Sequence, residues 1–445
     1  MWRYYLFLGW RSLWKTPVMT LLMMLALGFG MSFTLVLLTL EQAGSKNPME
    51  HKIDRIFSVQ TDNWSENPAE IFFQSRNFMP TAINFRDTKF ILNSGIPTRT
   101  TMLSASGAIL ENPDNDDVLP AMHSGYLVTR DFFSMFDVPF KHGGAWEEQG
   151  QYNGIHKIIL GDWANQIFFN GKNSVGKILL VDGTPYTVTG LIEDNWYMAP
   201  RIYDPTNTPM GTSPGFFFPL EDIALHDYHR WGGFYTWKHN QILKSHEDFL
   251  NSETLWVRPW VEFDSSEQKE DFENYLKGYI ESEQENGRYL RTNKIALSNS
   301  SEWMKIVAGF QGLAEVALTG LILLICTTNS IALLMAKFLR TTADAAVRRA
   351  LGASKSSVFI QHLFEALLIA LGGGLFALIL AYYWFEVLKR MMSGYDYYYF
   401  ADFAHLNLFS LLLIFTLVLI STLLSGAIPA WRVSRAQPGR YLNAE

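Results

Sequence analysis

The chain has 445 residues, a formal net charge of −7, 18% charged residues, one cysteine and a mean hydropathy of +0.03. An acidic balance with few cations excludes a nucleic-acid binder built on a basic surface, and a single cysteine excludes a disulfide-framed secreted scaffold. The near-zero hydropathy is an average over two populations, long apolar segments and a polar region between them.

In residues 1–16, Trp2, Trp10 and Trp14 alternate with Arg3, Arg11 and Lys15, a mixture that suits an amphipathic helix lying at the headgroup level. Pro17 permits a turn into the bilayer. Val18 to Leu40 carries no charge and is longer than the core of a signal peptide, roughly 7–15 residues, so 17–40 is expected to be the first membrane span. Residues 41–303 are polar and are expected to form an extracytoplasmic α+β domain. At about 260 residues it is large enough to hold itself by an apolar core and to divide into two lobes. Cys326 falls in the second span, so this domain contains no intrachain disulfide.

Local signals support the α+β reading. His156 to Leu160 reads as a strand, Asp162 as the N-cap of a helix through Phe169, and Lys177 to Val181 and Tyr186 to Leu191 as strands joined by Asp182-Gly183-Thr184-Pro185. Gly171 to Lys177 satisfies the first seven positions of the phosphate-binding Walker pattern. The eighth residue is Ile178, where Mg²⁺ coordination requires Ser or Thr, and Ile178 begins a strand rather than a helix. His226-Asp227-Tyr228-His229 and Asp114-Asn115-Asp116-Asp117 match no metal-ligand spacing, so neither metal binding nor catalysis is expected of this chain.

Three further apolar segments follow. Residues 304–338 are expected to be the second span, 358–386 the third and 407–429 the fourth. Between them lie a basic inter-span stretch, 339–357, and a short loop, 387–406, and residues 430–445 form a tail. Lys and Arg concentrate before the first span, between the second and third, and after the fourth. Both termini and the 339–357 stretch are therefore expected to be cytoplasmic. Lys389 and Arg390 lie on the opposite side, accompanied by Asp396, Asp402 and the Tyr395 to Tyr399 run. Intramembrane Glu315, His362 and Glu365 lie close enough to the membrane boundaries for snorkelling to be the cheaper account of their charge. Gly372-Gly373-Gly374 is expected to permit close helix contact.

In the 339–357 stretch, Val347 and Leu351 are four residues apart and would share one helix face, flanked by Arg348 and Arg349, with Gly352 able to close the helix in a left-handed cap. An apolar ridge bordered by guanidinium groups suits docking onto a partner with carboxylates around a groove.

The order of segments resembles the MacB-type and FtsX-type permeases of the ABC transporter superfamily. In the outer domain the resemblance rests on Val128 to Phe133 with Phe136 to Phe140, Asn173 to Lys177, Val181-Asp182-Gly183, Tyr186 to Gly190, and Phe217-Phe218-Pro219-Leu220. In the second half, Asp344 to Ser354 resembles the family's "EIGIRRALGAS", followed by Leu363 to Ala366, Pro429 to Arg432 and Ala436-Gln437-Pro438. Asp344 stands where the family usually has Glu, and Ala346 where it has Gly. The resemblance implies an α-helical membrane protein with four transmembrane helices and a large MacB-like periplasmic domain between helices 1 and 2, in a bacterial inner membrane. It implies an ATPase-coupling site at Asp344, Val347, Arg348, Arg349, Leu351, Gly352, Ala353 and Ser354. ATP and Mg²⁺ would be bound by a separate ATPase dimer and no cofactor by this chain, with a second permease subunit, identical or different, completing the assembly. Efflux of periplasmic substrate through an adaptor and an outer-membrane channel is one implied outcome. Transmembrane signalling or lipoprotein extraction is another, and a membrane-anchored sensor or scaffold without an ATPase is the reading from a different class.

Overall fold

The computed structural model describes residues 2–45, 49–63, 79–115, 117–147, 156–193, 196, 198, 201–202, 214–224, 227, 230–231, 235–236, 238, 241–290, 295–308, 312–392 and 405–435. They form two compact units, one of Met1–Ser45 with Gln311–Glu445, the other Lys46–Phe310.

The chain enters the first unit through α1 (Trp2–Lys15), which exposes a stripe of Tyr4, Phe7, Trp10 and Trp14 and buries Leu13 on its other side. After a one-residue break, α2 (Pro17–Ser45) begins with proline at its first position, where a missing N–H costs no helical hydrogen bond.

The second unit is built on a twelve-stranded sheet. Its strands are β1 (Ile56–Thr61), β2 (Ile83–Asn84), β3 (Arg99–Glu111), β4 (Ala121–Val128), β5 (Phe140–Gly143), β6 (His156–Leu160), β7 (Ile178–Val181), β8 (Thr184–Ile192), β9 (Phe216–Pro219), β10 (Tyr235–Thr236), β11 (Thr254–Glu262) and β12 (Ile295–Asn299). The main path runs β12-β1-β11-β3-β4-β9-β6-β8-β5, with β2 and β10 on β11, and β7 joining β3 to β8. Pairing is antiparallel except at β4 with β9 and β6 with β8. Among the described residues, six α-helices accompany it: α3 (Phe85–Leu92), α4 (Asp131–Met135), α5 (Asp162–Phe169), α6 (His246–Leu250), α7 (Ser266–Glu285) and α8 (Ser300–Ala308).

Three buried apolar clusters lie along this sheet. One gathers Phe168 with Leu160, Val188 and Phe216, a second Phe132, Phe136, Trp196, Trp260 and Trp303, and a third Phe57 and Val261 with Phe272 and Leu276 of α7. Two local details differ from the sequence reading. Gly161, in extended conformation, is the N-cap of α5, and Asp162 is its first helical residue. The β7–β8 turn is only Asp182-Gly183, both at positive φ (48° and 80°), as a two-residue type I′ hairpin requires. Thr184 and Pro185 already belong to β8, opposite Val181 and Leu180.

The chain then returns to the first unit through α9 (Gly312–Arg340), α10 (Thr342–Ala350), α11 (Lys355–Met392) and α12 (Leu408–Ser434). With α2, the helices α9, α11 and α12 are long and apolar enough to cross a membrane. The fold is therefore four membrane-crossing helices with an α+β domain between the first and second. Lengthwise, α11 packs between α2 and α12. Its three glycines allow this. A Cβ on Gly373 would lie 3.2 Å from the Met24 carbonyl oxygen of α2, and one on Gly374 only 2.6 Å from Val418 Cγ2 of α12. The glycines sit within a continuous helix and serve close approach. Residues 393–404, with the Tyr395 to Tyr399 run, and the Ala436-Gln437-Pro438 motif lie outside the described residues.

Candidate functional site

The sequence-predicted site residues fall on α10 and on the turn into α11. α9 ends at Arg340, where the Thr341 and Thr342 hydroxyls both donate to the Phe338 carbonyl at 3.0 Å, and α10 starts one residue later. Thr342, Ala345 and Ala346 face inward and are buried, so small side chains let α10 lie close against the bundle. The opposite face carries Val347 and Leu351, 45% and 84% exposed, which for apolar side chains outside the membrane-crossing helices is an unpartnered ridge.

Arg348 Nη1 donates to Gln361 Oε1 of α11 at 2.7 Å, which fixes one edge of the ridge. Arg349 is half-buried beside it. Asp344 approaches Lys15 of α1 at 3.6 Å, but both side chains are mostly exposed, so this pair adds little stability. Gly352 adopts φ +103°, its N–H donating to the Arg349 carbonyl, while the Ala353 N–H donates to the Arg348 carbonyl. That pair of bonds is a Schellman closure, which ends α10 sharply. Ala353 packs partly against the bundle, and the Ser354 hydroxyl accepts from the Ser357 N–H at 3.1 Å, capping α11. Within eleven residues the chain thus stops one helix, displays a ridge and starts the next.

Directly beneath lies a buried ion pair that sequence reasoning missed. Lys337 Nζ of α9 is 2.6 Å from Glu365 Oε1 of α11, with the side chains only 1% and 2% exposed. Ser12 of α1 donates to the same carboxylate at 2.6 Å, Lys337 reaches Thr20 Oγ1 of α2 at 3.4 Å, and the His362 ring lies 4.4 Å from that of Phe338. Snorkelling is therefore the wrong account of Glu365 and His362. Both are enclosed by helices, and Glu365 is met there by the Lys337 ammonium. The Glu315 side chain lies outside the described residues. The pair ties four helices together at the point where α9 passes into α10.

In the second unit, Gly171 to Lys177 links the end of α5 to β7, the reverse of the strand-to-helix order of a phosphate loop. Its amides are spent on the protein, Gly176 N–H on the Val188 carbonyl and Lys177 N–H on that of Ser174. His226, Tyr228 and His229 lie outside the described residues, and Asp227 pairs with Arg230 and His246. Among the described residues no group of three or more His, Cys, Asp or Glu is arranged to hold a metal ion.

A second buried charge cluster also went unread. Arg288 contacts Asp87 (2.8 Å), Glu253 (2.7 Å) and Glu283 (2.5 Å), and Tyr279 and Tyr289 each donate to Asp87 at 2.6 Å. Burial would lower the Arg288 guanidinium, but hydrogen bonds and charge from Glu253, Asp87 and Glu283 raise it above its ordinary value. Burial, then the Asp87 charge, pushes the Tyr279 and Tyr289 phenols well above theirs. The cluster joins α3, the residue before β11 and the end of α7, and includes Tyr289, whose φ is +51°. Its members are dispersed between positions 87 and 289, and no local pattern announces them.

Residues 20–274 match the family described as MacB-like periplasmic core domain, and residues 316–438 that described as FtsX-like permease C-terminal. The macrolide export ATP-binding/permease protein MacB of Escherichia coli K12 is 22% identical over 447 residues, covering 97% of this chain and 59% of that protein. The Shigella flexneri protein of the same name matches to the same extent. The chain thus spans about three-fifths of the length of these relatives. Among solved structures, the periplasmic region of MacB from Actinobacillus actinomycetemcomitans aligns with a TM-score of 0.35 at 13% identity, covering 57% of this chain and 94% of that one.

Proposed function

The chain belongs to the MacB-like, FtsX-like permease family of ABC transporters, and from that premise we propose that it couples ATP hydrolysis by a separate ATPase dimer to movement of its inter-span domain. It does so as a multi-pass inner-membrane protein working with a second permease subunit. Both termini and α10 face the cytoplasm, where Lys and Arg flank the spans, and the α+β domain is periplasmic.

The observation that carries this reading is the exposed Val347 and Leu351 ridge on a helix whose other face is buried and whose two ends are fixed. An ATPase that seats this ridge and moves it displaces α10 as a unit. The displacement passes to α9 through the Thr341 break and to α11 through the Schellman closure and the Arg348–Gln361 bond. α9 follows the inter-span domain in the chain, and the scheme requires no continuous channel through the membrane. Expulsion of periplasmic substrate through an adaptor and an outer-membrane channel is the use of this motion that we favour. The support is the name of the curated relatives, which are macrolide exporters. This chain contributes no catalytic residue in that scheme, and ATP and Mg²⁺ sit on the partner.

The test is purification of the intact chain from native membranes in mild detergent, with an ATPase assay of what remains bound. ATPase activity is expected to co-purify and to be lost in Val347→Asp with Leu351→Asp, while membrane insertion is unchanged. Activity that survives both substitutions would refute the coupling role of α10, and a stable complex without nucleotide hydrolysis would point to a sensor or scaffold.

A further inference from the structure

We propose that a half-open cavity lined by α1, Thr341, α10 and α11 binds the phosphate headgroup of an anionic phospholipid, and that this lipid fastens α10 to α1. The proposal rests on the cytoplasmic placement of α10 given above. The cavity encloses about 250 Å³. That is room for roughly eight water molecules by liquid volume, yet below the roughly 300–1,000 Å³ of pockets that take drug-sized ligands. A small polar headgroup suits it.

Its walls carry an excess of positive charge. Arg11, Lys15 and Arg348 line it, against Asp344 and Glu365. Glu365 is already neutralised by Lys337, and Asp344 faces Lys15. Arg11 and Arg348 therefore remain unbalanced, one on α1 and one on α10. Arg348 spends one of its five N–H donors on Gln361, and Arg11 has no partner among the described residues. At the floor lies His362, 3% exposed, whose Nδ1 stands 3.6 Å from Glu365 Oε2, beyond hydrogen-bond length. That long contact leaves the ring nitrogen with hydrogen-bonding capacity that a ligand or water can meet. Two guanidinium groups set across a cavity are suited to the forked geometry of phosphate oxygens.

The source of the phosphate follows from the wall. α1 exposes Tyr4, Phe7, Trp10 and Trp14 on one face, the pattern of a helix embedded at the level of the headgroups. The cavity lies along the flank of that face, where Leu8, Arg11, Ser12 and Lys15 line it beside the first span, and basic pockets at this depth meet anionic lipid before they meet free phosphate. A lipid phosphate bridging Arg11 and Arg348 would join α1 to α10 more firmly than the exposed Lys15–Asp344 pair does. Anionic lipid content would then regulate how stiffly the ridge on α10 is held.

Native mass spectrometry of the detergent-purified full chain, titrated with phosphatidylglycerol and separately with phosphatidylcholine, tests this. Wild type is expected to retain phosphatidylglycerol preferentially. Arg11→Gln and Arg348→Gln should each weaken that binding about fivefold, corresponding to about 1 kcal/mol for each cation, and leave phosphatidylcholine binding unchanged. Arg11 is exposed and has no partner among the described residues, so its replacement is expected to keep the fold intact. Lys355→Gln, on the exposed start of α11 and outside the cavity, should have no effect. Equal phosphatidylglycerol binding by wild type and both Arg variants would overturn the proposal. Displacement of the lipid by millimolar inorganic phosphate would reassign the site to a free anion. Because the readout is lipid retention, its outcome is independent of whether the chain drives an ATPase.

Discussion

Replacing Lys337 with Met while Glu365 stays in place strands a carboxylate inside the helix bundle. At 2.6 Å, with an effective dielectric constant near 20, the attraction between the two charges is about 6 kcal/mol. Desolvating two ions that are 1% and 2% exposed costs several kcal/mol each, so the pair as a whole is close to neutral for stability. Breaking it is not neutral. Among the described residues, Lys337→Met leaves Glu365 with the Ser12 hydroxyl at 2.6 Å and His362 Nδ1 at 3.6 Å, and Glu365→Leu leaves Lys337 with Thr20 at 3.4 Å. Each single variant is expected to lose about 3–5 kcal/mol, while the double variant, with apolar side chains of similar volume, should recover to within about 1–2 kcal/mol of wild type. Equilibrium unfolding of the purified chain in mixed micelles, read as a double-mutant cycle, gives the coupling energy directly. Losses that simply add in the double variant would show that the two charges do not stabilise each other, and the joint between α9 and α11 would have to be explained by apolar packing alone.

Two other perturbations act at separate places. Gly352→Ala puts a Cβ in open space but forces it to φ +103°, so the effect is backbone strain of about 1–2 kcal/mol with no clash. Faster proteolysis between α10 and α11 is expected, and unchanged protection would refute the Schellman assignment. In the inter-span domain, Tyr279 and Tyr289 titrate above their ordinary value of 10.0 in the folded state. The unfolded chain then releases protons first as pH rises, so stability is fully present below pH 10 and declines above it. Hydrogen exchange of β11 and α7 in the full chain should accelerate above that pH, less steeply in Tyr279→Phe, and a flat profile would contradict the burial of these phenols.

Those elements that rest on local chemistry were legible in the chain. Four apolar segments of bilayer length, the presence though not the two-residue length of the turn at Asp182-Gly183, and the failure of the Walker pattern at Ile178 each depend on neighbours a few residues apart. So do the ridge and the left-handed closure of the inter-span helix, because both have fixed spacings along one short stretch. Burial of Glu365 was misread for the complementary reason. Judged on an isolated helix, a carboxylate one turn from the boundary reaches water. In the bundle Lys337, 28 residues earlier on another helix, and Ser12 at the other end of the chain enclose it. Arg288 gathers Asp87 and Glu253 across the sheet in the same way. Hydrophobic periodicity and capping are written in sequence because helices and strands form from contiguous residues. Ion pairs and cavities are decided by which helices pack together, and only the tertiary structure brings Arg11, Arg348 and His362 around one space.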